Sequence, residues 1–385
     1  MKITVSVHGR YHAFELAKGL HQRKHLDQLL TTYPRFIARK FVGPNALIKS
    51  AAVLELKRQV YSKFGIGGKP DLSISKSFGQ FSQRQLNSDT DIFVGWSSAS
   101  LEAIKPAQGF GTKVIIERGS THISAQTDVL RDAYKQFGLF FNETKVEMIE
   151  REEQEYALAD KIFVPSKYAA QTFVDRGITA DKIIVNGMGV DSEMFQAPSS
   201  RSLDRMPRIV FAGGVGIRKG VPWLLEAFKR LSSKAELHLI GPVSPDYEKM
   251  LRKEIGANVF VRGALPGHDL SSEYGRGDIF CLPSLEEGYG MVIPQAMACG
   301  LPVICTKNTG GSEIIDDDNS GYIIPIRNIE ILKNKIKILY NDRDKLEEMS
   351  KCAHAKANSE LSWEKYGDKM LKIYRELMQK KLKIN

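Results

Sequence analysis

Apolar positions along the chain follow two periods that take turns. Short apolar runs of strand length give way to stretches in which apolar residues recur three and four apart, as on one face of a helix. In the first half this pattern predicts strands at residues 2–7, 92–95, 114–117 and 161–164, with a loop at 8–10 and a helix at 11–23 after the first. In the second half it restarts, with strands at 208–212, 236–240, 259–261, 279–282, 303–305 and 322–324 and a helix at 222–231. Strand and helix in alternation imply a parallel sheet covered by helices on both faces, and the restart implies a second one.

Between the two patterns, residues 191–207 carry Pro198, Ser199, Ser200, Ser202 and Pro207 with little apolar periodicity, as a linker between mobile domains would. The expected organisation is a first domain at 1–191, a linker at 192–207, a second domain at 208–361 and a terminal helix at 362–385. In that helix Trp363, Tyr366, Met370, Ile373, Tyr374 and Leu377 recur at helical spacing and need a surface to pack on.

Length agrees with two cores, since 385 residues exceed the roughly 250–300 at which one core stops growing. At 42% hydrophobic and 26% charged residues the composition is that of a globular protein. No stretch approaches the roughly 20 apolar residues of a membrane span. Met1 leads straight into the first strand without a secretory signal, so a cytoplasmic protein is expected. Cys281, Cys299, Cys305 and Cys352 lack metal-ligand spacing and read as inert thiols.

The net charge of +10 raises the question of an anionic partner. Part of it is concentrated. Residues 35–69 hold eight Lys or Arg against the single acid Glu55, interleaved with Phe36, Ile37, Phe41, Val42, Leu47, Ile48, Val53, Leu54 and Leu56. Two readings stay open: an element that docks on anionic lipid or a lipid-linked acceptor at the inner face of a membrane, and a helix pair with a solvated basic face. Nucleic acid is not expected as a partner, because there is no RNP-like aromatic strand, helix-turn-helix signal or paired C-x-x-C.

Candidate chemistry concentrates in the second half. The strand at 208–212 enters Gly213-Gly214-Val215-Gly216-Ile217-Arg218-Lys219-Gly220, and Pro222 then opens a helix. Glycines admit an anion to the backbone, the helix N-terminus adds partial positive charge, and Arg218 and Lys219 add full charges, so the segment suits a diphosphate. The strand at 279–282 ends in Pro283-Ser284-Leu285-Glu286-Glu287-Gly288-Tyr289-Gly290, followed by a helix, where doubly wound sheets bind ligands. Here Glu287 can accept from sugar hydroxyls, residues 288–290 expose amides, and Gln295 can reach ribose hydroxyls. In the first half, His8, Gly9, Arg10 and His12 follow the first strand, while Arg118 and His122 follow the strand at 114–117; both loops are candidates to face the cleft. The Asp316-Asp317-Asp318 and Asp89-Thr90-Asp91 runs read as turn carboxylates, and His21 and His25 as a solvated helix face, so no metal is implied.

From Pro283 to Val303 the chain resembles glycosyltransferase family 4, whose signature runs P-S-x-x-E-G-F/Y-G-x-x-x-x-E-A-M-A-x-G-x-P-V. Residues 262–263, 309–315, 319–321, 159–166 and 186–191 are similar to further family segments. The resemblance is strong over about 155–330 and loose before 150. It implies a GT-B architecture, two Rossmann-like doubly wound domains facing a cleft, with the last helix crossing back to the first domain. The implied activity is transfer of a sugar from a nucleoside-diphosphate sugar to a hydroxyl acceptor, with anomeric retention and without metal or other cofactor. Acceptors on that reading include lipid-linked sugars, polysaccharides and small molecules.

The family pattern also distributes roles. Gly9, Gly214, Arg218 and Lys219 would hold the diphosphate, and Gly263, Ala264 and Leu265 would lie near the base. Glu287, Gly288, Tyr289 and Gly290 would hold the sugar, with His122 joining Glu287 as a catalytic candidate. Apart from that pattern, the place of their loops after strands at the cleft edge assigns His8, Arg10, His12 and Arg118 to the acceptor side. Two positions depart: Gln295 stands where the family has a second glutamate, and Gly214 where it has arginine, leaving Arg218 as the stand-in. The departures leave a donor-binding protein without activity as one alternative; a sugar-nucleotide epimerase or a phosphorylase is another.

Overall fold

The computed structural model describes residues 1–64, 72–200, 205–231 and 235–382; Lys69 of the basic segment and positions 201–204 of the expected linker lie outside them. The first domain builds a parallel sheet from β1 (Ile3–Val7), β2 (Leu26–Thr31), β3 (Ile48–Ser50), β4 (Ile92–Trp96), β5 (Lys113–Glu117), β6 (Lys161–Val164) and β7 (Ile183–Val185), in the order β3-β2-β1-β4-β5-β6-β7. The second builds another from β8 (Arg208–Ala212), β9 (Glu236–Ile240), β10 (Val259–Gly263), β11 (Ile279–Leu282), β12 (Val303–Thr306) and β13 (Gly321–Ile324), in the order β10-β9-β8-β11-β12-β13. All five residues of β1 and all four of β11 are buried, because helices cover both faces of each sheet. In each sheet the order reverses beside the domain's first strand, β1 next to β4 and β8 next to β11. Loops leaving the carboxyl ends of those pairs border a crevice.

Three strands escaped the sequence pattern. β2 carries the polar Asp27 and Gln28 in its first half, and β3 and β7 are only three residues long, too short for a period to show. The basic segment splits into helix Arg35–Val42, β3 and helix Ala52–Phe64 rather than a simple helix pair.

The chain crosses between domains twice, and the crossings touch. Val190 bridges Ser362, and its amide donates to the Leu361 carbonyl at 2.7 Å. A Cβ at Gly189 would collide with the Trp363 backbone, so glycine permits this approach. Part of the expected linker is docked, since Phe195 is buried beside Tyr274 in the second-domain core. Helix Trp363–Leu382 returns to the first domain, burying Tyr366, Met370, Leu371 and Tyr374 with Phe14, Leu16 and Leu20. No described helix is long and apolar enough to cross a membrane.

Candidate functional site

The loops after β8 and β11 are joined at the second domain's crevice. The Leu285 amide donates to the Arg218 carbonyl at 2.9 Å. Gly220, at φ 74°, caps helix Val221–Lys229, and a Cβ there would strike the Pro283 carbonyl. Glycine is therefore required both by the left-handed backbone and by the loop beside it.

Charges are paired across this junction. Lys219 Nζ contacts Glu287 Oε2, and an Arg218 terminal nitrogen lies 3.7 Å from Glu287 Oε1. Burial and the Arg218 charge push the Lys219 ammonium below the ordinary lysine range, a shift that the Glu286 charge opposes. The Glu287 amide donates to the Asn308 carbonyl at 3.0 Å, whereas those of Gly288, Tyr289 and Gly290 meet no protein acceptor among the described residues. Gln295 lies half-buried on helix Val292–Ala298 without a side-chain hydrogen bond among them. Gly214 opens onto free space, as does Gly263 at the end of β10, which leads into Ala264 and Leu265.

Tyr289 turns its side chain inward and keeps free the amide expected to meet the sugar. Its side chain is buried, its hydroxyl donates to the Met188 carbonyl at 2.9 Å, and its ring packs over Gly187 and Gly310. Only its backbone amide remains for a ligand.

First-domain candidates are spent on their own domain. His122 caps helix Ile123–Gln136, with Nδ1 accepting from the Ser124 amide at 3.2 Å, and its ring packs between Tyr156 and Phe173 at 5.2 and 5.0 Å. Burial first, then Arg176 and Arg118, lower its pKa to about 4. These partners all belong to the first domain, and within it His122 serves as a neutral helix cap. His12 is likewise turned inward: its Nε2 lies 2.6 Å from buried Glu117 Oε2, and its ring sits 5.0 Å from Trp96. Arg10 stacks over Phe41 at 3.7 Å. His8 has a buried Nδ1 without a partner and a pKa lowered to about 4 by burial, then by Arg58 and Arg151. Gly9, at φ 138°, accepts from Thr31 Oγ1 at 2.9 Å and donates to Val7, with no bond to the second domain among the described residues.

Arg118 leads instead to a residue whose role the sequence did not reveal. Its guanidinium binds Glu152 at 3.0 Å, Gln126 Oε1 at 3.1 Å and the Thr121 carbonyl at 3.1 Å, and Gln126 in turn donates to Glu286 Oε2 at 2.9 Å. Glu286, one residue before the expected sugar ligand, is buried against the first domain. In the signature it occupies a free position, so only an extended loop placing neighbouring side chains on opposite sides hinted at a second job.

Residues 195–356 match the family of glycosyl transferases group 1, and they contain both charged loops. The second half of this chain is thus similar to group 1 glycosyltransferase domains. The chain is 30% identical over 211 residues to the sulfoquinovosyl transferase of Arabidopsis thaliana, covering 51% of this chain and 40% of that protein. It is 25% identical over 251 residues to the D-inositol 3-phosphate glycosyltransferase of Xylanimonas cellulosilytica, covering 60% of each. It thus spans about half the length of the curated relatives it matches. The two domains together superimpose on HepE of Anabaena in complex with UDP and glucose, with a TM-score of 0.70, 14% identity and 98% of this chain and 100% of that chain covered. They also superimpose on sucrose-phosphate synthase of Thermosynechococcus elongatus, with a TM-score of 0.68, 18% identity and 98% of each covered. At these identities the likeness establishes the fold, the two-domain Rossmann-like GT-B arrangement.

The remaining sequence candidates are accounted for elsewhere. Asp316 and Asp318 pair with Lys356 and Lys345, and Asp317 accepts from the Ile323 amide at 3.0 Å. Asp89 and Asp91 both bind Lys2, and Cys281, Cys299 and Cys305 are buried.

Proposed function

We propose that the protein is a glycosyltransferase that moves a sugar from a nucleoside-diphosphate sugar to a hydroxyl acceptor. The observation that carries this reading is the junction of the β8 and β11 loops. Two cations and a glycine-lined helix start face Glu287 at the switch point of a domain whose family transfers sugars. On binding, the donor's diphosphate takes the terminal nitrogens of Arg218 and Lys219 Nζ, displacing Glu287. The freed carboxylate then accepts from the sugar's hydroxyls, the amides of residues 288–290 hold the same sugar, Gln295 meets the ribose, and the base lies against residues 263–265. As the glycosidic bond breaks, negative charge grows on the departing diphosphate, where fixed cations and a helix N-terminus stabilise it most. Retention at the anomeric centre and independence of metal belong to the same proposal and rest on the family resemblance.

A lipid-linked acceptor, and with it peripheral contact at the inner face of a membrane, is supported by the first domain's edge. Val53, Leu56 and Val60 share a face of helix Ala52–Phe64 and are 79%, 63% and 42% exposed; Phe36, 67% exposed, lies on the preceding helix beside exposed Arg35, Arg39 and Lys40. Apolar side chains flanked by cations suit an anionic bilayer. Co-sedimentation with anionic but not zwitterionic vesicles is the expected result, and no preference would remove this part of the proposal.

A thermal-shift comparison of UDP, GDP, ADP and their sugar conjugates, without added metal, tests the donor site. A ligand that binds only the folded protein raises the melting temperature. A rise with one nucleotide family identifies the base, and none with any of them counts against the assignment.

A further inference from the structure

Resting on that reading of the donor site, we propose that Glu286 is a positioning residue that fastens the first domain over the crevice and orients the Arg218 guanidinium for the diphosphate. Its carboxylate receives four donors. Oε1 accepts from Ser120 Oγ at 2.8 Å and Thr121 Oγ1 at 3.0 Å, and Oε2 from Gln126 Nε2 at 2.9 Å and Arg218 Nε at 3.1 Å. Four donors fill the acceptor sites of a carboxylate. Three of them come from the first domain and one from the second, so this single side chain ties both domains to the cation that meets the donor.

The first-domain cradle is preset. Arg118 occupies Gln126 Oε1, which turns the amide Nε2 toward Glu286, and Arg118 is itself held by Glu152 and the Thr121 carbonyl. Neighbouring contacts follow the same closure. Ser166 Oγ donates to the Gly288 carbonyl at 2.6 Å, the Lys167 amide donates to Glu313 at 2.5 Å, and a Cβ on Gly288 would collide with Gly119 and Ser120. Burial alone would favour a neutral Glu286, but the Arg218 charge and the Gln126 and Ser120 donors outweigh it and hold the carboxyl at about 2.

When the domains part, Glu286 exchanges three protein donors for water, so closure is reversible rather than locked. Arg218 binds Glu286 through Nε, which leaves its terminal nitrogens directed toward the Glu287 side, where the diphosphate is proposed to enter. Closure and donor capture thereby share one guanidinium.

Glu286→Gln, which keeps the shape and removes the charge, is the test, read in two ways on the full chain. Small-angle X-ray scattering without ligand should give a larger radius of gyration for the variant than for the native protein. In transfer assays kcat should fall about tenfold or more, while the donor KM changes less than about twofold. Gln126→Leu, which dismantles the cradle from the other side, should open the protein in the same way and stands in if Glu286→Gln does not fold. An unchanged radius in the folded variants overturns the fastening role; opening with an unchanged kcat, or a loss confined to KM, overturns the positioning role. If the native protein transfers no sugar, the proposed function fails, and Glu286 loses its positioning role with it, while scattering still decides the fastening role alone.

Discussion

The loop after β1 and the loop after β8 occupy the same place in their two sheets, and both bring glycine and basic side chains to the crevice, yet they spend those side chains differently. In the first, His12 sinks onto Glu117 among aromatic rings, His8 is half-buried and Arg10 lies flat on Phe41. In the second, Arg218 and Lys219 reach the next loop and pair with Glu286 and Glu287. A cation already satisfied inside its own domain has nothing to exchange for a ligand, whereas one paired with a carboxylate across two loops can trade that carboxylate for phosphate. Similar topology therefore gives one domain cations paired across two loops and the other side chains packed on rings of its own domain.

The sharpest way to break this contrast is to remove the charges. Lys219→Ala and Arg218→Ala are each expected to lower kcat/KM for transfer by about 10²–10³, the cost typical of losing one group that stabilises transition-state charge. Arg10→Ala should change it less than about threefold, and a comparable loss there would erase the distinction between the loops. Next in size is Met370→Ala. Met370 is fully buried where the last helix meets the first domain, so truncation should cost about 2–5 kcal/mol in urea unfolding, and a cost below 1 kcal/mol would mean that the helix is not held by that core.

A smaller effect concerns pH. The native pKa of His122 is about 4 against an ordinary 6.5, so the unfolded chain binds a proton between those values that the native protein does not. The stability due to its neutral form is whole above pH 6.5 and declines as pH falls toward 4, by up to about 1.4 kcal/mol per pH unit. His122→Asn keeps a capping acceptor and should remove that part of the slope; an unchanged slope would show that His122 does not titrate as a buried group. Smallest is Gln295→Glu, expected to tighten donor binding by no more than about tenfold, because a carboxylate makes stronger hydrogen bonds to a ribose diol than an amide does. Isothermal titration with the nucleotide identified by thermal shift measures it.

The second domain was far more legible in the sequence than the first. Its strands are mostly apolar, and each of its two charged loops is a single contiguous run, so glycine, arginine, lysine and glutamate could be read as one chemistry in each. Short or polar strands such as β2, β3 and β7 left too little period to detect. The resemblance made His122 a catalytic candidate and assigned Tyr289 only an amide, but which way each ring points depends on partners distant in sequence, Phe173 and Tyr156 for one and Met188 for the other.

Local sequence determined the strand and helix alternation, the two parallel sheets it implies and the placing of Arg218, Lys219 and Glu287 on loops at strand ends, because each depends on periods and turns within about ten residues. Tertiary structure alone decided that Glu286 faces the other domain, that the two crossings meet at Gly189 and Val190, and that His12 belongs to Glu117. Those outcomes join residues 105 to 174 positions apart, and a hydrogen-bond partner across such a separation is chosen by how the domains pack, which no local pattern encodes.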